Sequence, residues 1–169
     1  MHKNWRVATD MTQPTDNVKK KEFANEILIP EIINLLDNGH TVTLGLRGFS
    51  MRPFLEDKRD KALLSKPSDI TVGDVVLAEV APRRYALHRI ISISGDDITL
   101  RGDGNIGVEH CKRKDIHGFA EGFYRKGRST LESTASRKWR IYSFVWTRLF
   151  PIRRYLLFAY RTLRSLRLT

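Results

Sequence analysis

The sequence predicts a mainly β domain, in which a compact antiparallel sheet is preceded and followed by helical segments. Between residues 41 and 125, short alternating or β-branched segments are separated by turn signals rich in Gly, Pro and Asp. Apolar residues recur at helical spacing on both sides of this region. Hydrophobic residues make up 41% of the 169 residues, which is enough for a buried core and excludes a globally disordered chain.

The leading helix is predicted over residues 18–38, where apolar side chains recur at helical spacing. Asn38 and Gly39 supply a natural helix stop, whereas Pro30 interrupts the pattern and predicts a kink or two shorter helices. Residues 1–17 show no sustained periodicity and are expected to form a flexible polar tail.

The strands are predicted from the alternation of apolar and polar residues and from their β-branched composition. A glycine followed by aspartates at residues 94–97 predicts a hairpin between two of them. With the leading helix, the strands define one domain over residues 18–126, and their number favours an antiparallel sheet or a partial barrel. The predicted strands cover residues 41–46, 61–65, 74–80, 84–94, 96–101 and 116–125.

The excess positive charge lies at the C-terminal end of the chain. Residues 125–169 hold 12 of the 30 Lys and Arg residues and one acid, Glu132, whereas the rest of the chain is neutral overall. Residues 127–136 are small and polar and predict a linker, and residues 137–169 predict a basic amphipathic helical segment that Pro151 divides. On a helical wheel, the apolar face of its second half holds Ile152, Tyr155, Leu156, Ala159, Tyr160, Leu163 and Leu166. The opposite face gathers Arg153, Arg154, Arg161, Arg164 and Arg167.

A basic amphipathic helix with Trp and Tyr side chains is typical of a segment that lies in the interface of an anionic membrane. Packing on the sheet or on a second copy is the next interpretation, and nucleic-acid binding is third because no known nucleic-acid-binding motif is found. No run longer than nine residues lacks Asp, Glu, Lys and Arg, which excludes a simple membrane-spanning helix, and residues 1–17 lack the apolar core of a signal peptide. We therefore expect peripheral association with the cytoplasmic face of a membrane, and the oligomeric state is not predicted.

Three short clusters in the β-rich region carry residues suited to catalysis. The first follows a strand and carries Ser50, the second is a strand with His88, and the third is a turn with Asp103, followed six residues later by Glu109. Serine is a poor nucleophile until a base removes its proton, and a carboxylate often fixes the orientation of a histidine base. Spacing alone does not distinguish Ser50 from the other serines of this region, Ser65, Ser68 and Ser92.

These clusters resemble motifs of the type I signal peptidase family, which shares a superfamily with the self-cleaving domain of the LexA repressor. Four motifs match in order over residues 41–125: a Gly-x-Ser-Met-x-Pro box, a Gly-Asp-hydrophobic-Val box, a catalytic base followed by Arg and an aliphatic residue, and a Gly-Asp-Asn-type box. The matching residues are Gly48, Ser50, Met51, Pro53, Gly73, Asp74, Val75, Val76, His88, Arg89, Ile90, Gly102, Asp103 and Asn105. Because the base is His, the chain resembles the His-base branch.

The resemblance implies a LexA-like or signal-peptidase-like β fold and a serine endopeptidase that cleaves a peptide or protein precursor after a small residue. Ser50 would form the acyl-enzyme, and its N–H would contribute to the oxyanion hole. His88 would be the general base, Asp103 would orient or stabilise it, and Glu109 would be a possible second acid. The residues that shape the loop and the oxyanion site would be Gly48, Met51 and Pro53. A catalytically inactive binding module at the membrane is the alternative, and a nucleic-acid-binding regulator is a more distant one.

The chain also departs from the family pattern. The family often has a Ser that can donate to the oxyanion where Gly48 stands, so that donor must come from elsewhere. Phe49 stands where the family usually has a small residue. We expect no N-terminal membrane anchor of the kind the family usually has, so the resemblance supports the reaction better than the usual substrate. Cys111 is the only cysteine and, with the nearby histidines, lacks the spacing of metal ligands. We expect neither a metal nor a cofactor.

Overall fold

The computed structural model describes residues 25–166, which form one eight-stranded antiparallel sheet and three α-helices. The predicted mainly β fold class is therefore confirmed. The helices are α1 (Asn25–Asp37), α2 (Arg137–Arg148) and α3 (Phe150–Leu166). The strands are β1 (Val42–Gly45), β2 (Lys61–Ser65), β3 (Val75–Ala81), β4 (Arg84–Ser94), β5 (Asp97–Arg101), β6 (Glu109–Lys112), β7 (Ile116–Tyr124) and β8 (Leu131–Ser133).

The strand order across the sheet is β1-β2-β7-β3-β4-β5-β6, and β8 pairs with β7 outside this path. Strand β7 lies between β2 and β3, so it connects the first hairpin to the rest of the sheet. The register places His88 opposite Val76 and places Arg89 between Val75 and Arg101. The end of β5 therefore lies beside the middle of β4, and the loop that follows β5 begins next to His88.

The core consists of two apolar clusters, which form because buried and exposed positions alternate along strands such as β2 and β5. The larger cluster packs α1 and Trp139 of α2 against β1, β2, β3 and β7. The smaller cluster joins β3, β4, β5 and β6 and includes the thiol of Cys111. Burial of each large apolar side chain contributes about 1.5–3 kcal/mol to folding.

All six predicted strands are present, with ends that differ by at most one residue. Two strands were not predicted. Strand β6 has one buried residue, Cys111, among polar neighbours, so it shows no apolar alternation. Strand β8 lies inside residues 127–136, which the sequence indicated as a linker, and it has no buried residue because it pairs at the sheet surface.

Helix α1 ends where the sequence predicted. The chain leaves the helix through Gly39, which has φ +82, and the N–H groups of Gly39 and His40 donate to carbonyls of the last turn. Pro30 lies inside α1, so the described part is one helix and not the two shorter ones considered. The predicted polar tail at residues 1–17 and the start of the leading helix lie outside the described residues.

Helix α3 contacts the sheet domain through Arg153, Leu157 and Tyr160, whereas most of the predicted apolar face stays exposed. Arg153 and Leu157 are buried, and the Tyr160 hydroxyl donates to Glu56 Oε1 at 2.7 Å. The helical wheel had placed Arg153 on the solvent-exposed basic face, so this assignment is corrected. It failed because the guanidinium carbon of Arg153 lies 5.1 Å from the centre of the Trp146 ring and its Nη2 donates to the Trp146 carbonyl. Within residues 25–166, no helix is long and apolar enough to cross a membrane.

Candidate active site

The loop after β1 holds Ser50 at the edge of the core. Gly48 adopts φ +83, a conformation that favours glycine, and its N–H donates to Asp57 Oδ1 at 2.8 Å. Met51 and Phe54 are buried in the larger core cluster, and they fix the loop from below. Pro53 lies between them in the same turn. Ser50 is left half-buried, with its main chain facing the turn that follows β5.

The turn after β5 is pressed against the Ser50 loop. The Gly104 N–H donates to Ser50 O at 2.7 Å. A Cβ atom at Gly102 would lie 2.4 Å from Ser50 O, and one at Gly104 would lie 2.7 Å from Phe49 O. Because real Cβ contacts are never this short, both positions require glycine and together they hold the Ser50 loop in place.

His88 lies in the middle of β4 and is only 4% exposed. Its Nδ1 lies 2.5 Å from Glu109 Oε2, and its Nε2 lies 3.0 Å from the point that a Cβ at Gly102 would occupy. Ser50 O lies within 2.4 Å of the same point, so Nε2 faces the Ser50 loop. Burial lowers the pKa of His88, and the charge of Glu109 opposes this shift. Near neutral pH the ring is therefore uncharged, with Nδ1–H donating to Glu109 and Nε2 open as a base.

Glu109, and not Asp103, is the carboxylate that is hydrogen-bonded to His88. It is the first residue of β6, and its side chain is 27% exposed. Its second oxygen lies 3.6 Å from Arg84 Nη2. The sequence ranked Asp103 first, so the structure reverses the order of the two acids as partners of the histidine.

Asp103 instead forms a buried ion pair with Arg89. Its two carboxylate oxygens accept from Arg89 Nε at 2.9 Å and Nη2 at 2.7 Å, and both side chains are 1% exposed. Burial lowers the pKa of His88, and the charge of Asp103 opposes this shift less strongly than the charge of Glu109 does. Asp103 therefore acts on the histidine through its charge and through the position of its turn.

Helix α2 completes the surroundings of Asp103. Tyr142 donates its hydroxyl to Asp103 Oδ2 at 3.1 Å, and Trp146 Nε1 donates to the Asp103 carbonyl at 3.1 Å. Burial and the Asp103 charge raise the pKa of Tyr142, so its hydroxyl stays protonated as a donor. Ser143 of the same helix accepts a hydrogen bond from Arg89 Nη1. The sequence did not predict these contacts, because α2 lies about forty residues after Asp103 in the chain. Aromatic and polar residues spaced i, i+4 on a helix do not indicate which residue they will contact.

Ser50, His88 and Glu109 line one cavity of about 310 Å³. The apolar part of its lining comes from Leu46, Met51, Leu55, Val80, Tyr85 and Leu87. Within residues 25–166, no hydrogen bond joins Ser50 Oγ to His88, so proton transfer requires the two side chains to approach to hydrogen-bond distance. The Ser50 N–H has no acceptor in the same part of the chain and is open to an incoming oxyanion.

The other residues considered for metal binding lie apart from one another. His110 Nδ1 is 3.3 Å from Thr99 Oγ1, His117 lies 4.0 Å from Glu79, and the Cys111 thiol is in the smaller core cluster. Burial raises the pKa of this thiol to about 11, so it stays protonated at neutral pH. The described residues contain no group of three or more His, Cys, Asp or Glu side chains arranged to hold a metal ion.

Comparisons with models of known protein families, with curated proteins and with solved structures found no match to this chain. The functional interpretation therefore depends on the geometry above and on the motifs in the sequence.

Proposed function

We propose that the chain is a serine endopeptidase of the signal-peptidase type, with Ser50 as nucleophile and His88 as general base. One observation carries the proposal: a buried histidine lies 2.5 Å from a carboxylate at Nδ1, and its Nε2 lies near the loop of a serine in the same cavity. This is the arrangement that activates a serine hydroxyl, and Glu109 occupies the orienting position.

In the proposed reaction, Ser50 Oγ attacks the scissile carbonyl carbon while its proton passes to His88 Nε2. The negative charge of Glu109 stabilises the imidazolium that forms, and the Ser50 N–H donates to the new oxyanion. The carbon–nitrogen bond then breaks, and His88 gives its proton to the leaving amine. A water molecule, deprotonated by His88, hydrolyses the acyl-enzyme and restores the Ser50 hydroxyl.

The proposed substrate is a peptide or protein precursor with a small residue directly before the cut. The resemblance to the signal peptidase family supports this preference. The cavity is lined by both apolar and polar groups, which suits an extended peptide whose backbone is polar and whose side chains are small. Phe49 directly precedes Ser50; its side chain is 57% exposed, and the guanidinium carbon of Arg52 lies 3.9 Å from the centre of its ring.

We also propose that the chain works as a peripheral protein at the cytoplasmic face of an anionic membrane. The concentration of positive charge in residues 125–169 supports this location. A catalytically inactive binding module is the second candidate function, and one observation favours it: Ser50 and His88 are not hydrogen-bonded in the described part of the chain.

The test of the catalytic proposal uses a fluorophosphonate probe and a peptide mixture. An activated Ser50 Oγ forms a bond to phosphorus as fluoride leaves, and the adduct is located by mass spectrometry of the intact protein and its fragments. We expect labelling and cleavage in the wild type and in Ser92→Ala, which changes an exposed serine of β4. We expect neither in Ser50→Ala. A folded wild type that leaves Ser50 unlabelled and cleaves nothing would favour the binding module.

A further inference from the structure

Helices α2 and α3 carry many large apolar side chains that stay exposed in the described part of the chain. Five large apolar residues elsewhere in the described chain are exposed, and they are scattered over α1 and separate loops. The two C-terminal helices carry twice as many, and Phe158 reaches 72% exposure. A patch of this kind on a folded surface marks an interaction site. Its members are Ile141, Phe144, Val145, Phe150, Ile152, Tyr155, Leu156, Phe158, Leu163 and Leu166.

The contacts of the helices prevent this helix-pair face from turning inward. Trp139 and Trp146 anchor α2 in the domain, and Trp139 packs edge-to-face with Phe54, with ring centres 4.6 Å apart. Arg153 and Leu157 anchor α3. These buried residues lie on the side of each helix that faces the domain. The exposed apolar residues of the same helices therefore face away from it.

The charge of the same helices identifies the partner. Residues 137–169 contain nine Lys and Arg residues and no acid. The guanidinium carbon of Arg148 lies 4.3 Å from the centre of the Phe144 ring, and that of Arg154 lies 4.9 Å from the centre of the Tyr155 ring, so an arginine lies over an exposed aromatic ring on each of the two helices. A second copy docked through this surface would bring two sets of like charges together. An anionic bilayer offers phosphate groups to the arginines and an apolar interior to the rings.

We propose that the helix-pair face is the surface that binds an anionic lipid bilayer, with the apolar side chains inserted and the arginines at the headgroups. This deepens the membrane location proposed above, and its surface argument does not depend on catalysis by Ser50. Tyr142 and Trp146 of α2 hold the Asp103 turn, so a bound helix pair keeps the cavity in a fixed relation to the bilayer.

The test is co-sedimentation of the full chain with lipid vesicles. We expect the wild type to sediment with vesicles that contain phosphatidylserine and to stay in solution with vesicles of phosphatidylcholine alone. Phe144→Ser and Phe158→Ser are each expected to weaken binding by about tenfold, since each removes a large inserted side chain. Leu35→Ser, which changes a partly exposed residue of α1, is the matched control and should bind as the wild type does.

The readouts separate this proposal from the catalytic one. Thermal unfolding of the Phe variants should match the wild type because both side chains are exposed. Ser50→Ala should bind vesicles normally, so a loss of catalysis leaves the membrane proposal standing. Three results would overturn it: a wild type that ignores anionic vesicles, Phe variants that bind as tightly as the control, or a dimer in solution that the Phe variants abolish.

Discussion

Replacement of Gly102 by Ala tests the packing that holds the nucleophile loop in place. The added Cβ would lie 2.4 Å from Ser50 O and 3.0 Å from both His88 Nε2 and Asn105 Nδ2. Relief of the closest contact requires the Ser50 carbonyl to retreat by about 0.6 Å, because real Cβ atoms keep at least 3.0 Å from their neighbours. The Ser50 hydroxyl is carried on the same residue, so its position relative to the histidine changes as well.

The expected cost can be divided between stability and rate. Overpacking of this kind lowers the free energy of unfolding by about 1–3 kcal/mol. A misplacement of about 1 Å can cost a hundredfold in rate, so we expect Ser50 labelling to slow by roughly tenfold to a hundredfold. Urea unfolding measures the first effect and the rate of fluorophosphonate labelling measures the second.

Gly107→Ala is the matched control for this experiment. It lies in the same loop, and a Cβ there would meet nothing within 4 Å. We expect it to unfold and to label as the wild type does. If Gly102→Ala behaves like Gly107→Ala in both measurements, the turn after β5 does not position Ser50 and the reasoning fails.

Three further predictions concern the charged groups of the site. Glu109→Gln removes the charge that opposes the lowering of the His88 pKa, so this pKa should fall further in a histidine NMR titration. The rate of Ser50 labelling should fall by about 10–150-fold, because a hydrogen bond to a charged group contributes about 1.5–3 kcal/mol. An unshifted titration would contradict the pairing. Asp103→Asn leaves Arg89 as a buried charge without its counter-ion, so the free energy of unfolding measured in urea should fall by about 3–5 kcal/mol. A loss below about 1 kcal/mol would refute the role of Asp103 as the counter-ion of Arg89. Because burial lowers the His88 pKa, the unfolded chain binds more protons than the folded chain below pH 6.5, so stability should fall as the pH drops from 6.5 toward the folded pKa. His88→Gln should remove this part of the pH dependence, and an unchanged slope would argue against it.

Six strands could be predicted because apolar and polar residues alternate along them, and this alternation arises where one face of a strand packs on the core. The hairpin at residues 94–97 was also predictable, since Ser94 pairs with Asp97 across Gly95 at φ +59. Strand β6 could not be predicted, because its pairing with β5 depends on backbone hydrogen bonds that any residue can make. The same limit applies to β8.

The candidate site was predictable in its residue types and less so in its pairings. The motif order indicated Ser50 and His88, and the structure brings both to one cavity. The choice between Asp103 and Glu109 depended on which acid faces the histidine, and this is decided by how β6 pairs with β5 and by where α2 packs. Neither contact is encoded in a short stretch of sequence.

The burial of Arg153 shows the same limit for the C-terminal helices. A helical wheel sorts residues by polarity, and it assigned this arginine to solvent. The structure instead buries its guanidinium near the Trp146 ring and leaves most of the predicted apolar face exposed. Polarity alone therefore identified the amphipathic character of α3 but not the side that contacts the domain.

His88 and Arg89 are consecutive residues of β4, and their positions help to specify the register of this strand. Neighbouring strand residues point to opposite faces, so the first side chain enters the cavity while the second reaches Asp103 and α2. A slip of β4 by one residue against β3 would turn each side chain to the opposite face, so His88 would leave the cavity and Arg89 would leave Asp103. Loss of the Arg89–Asp103 ion pair would make such a slip unfavourable. The ion pair therefore also specifies the register of the strand that carries the base.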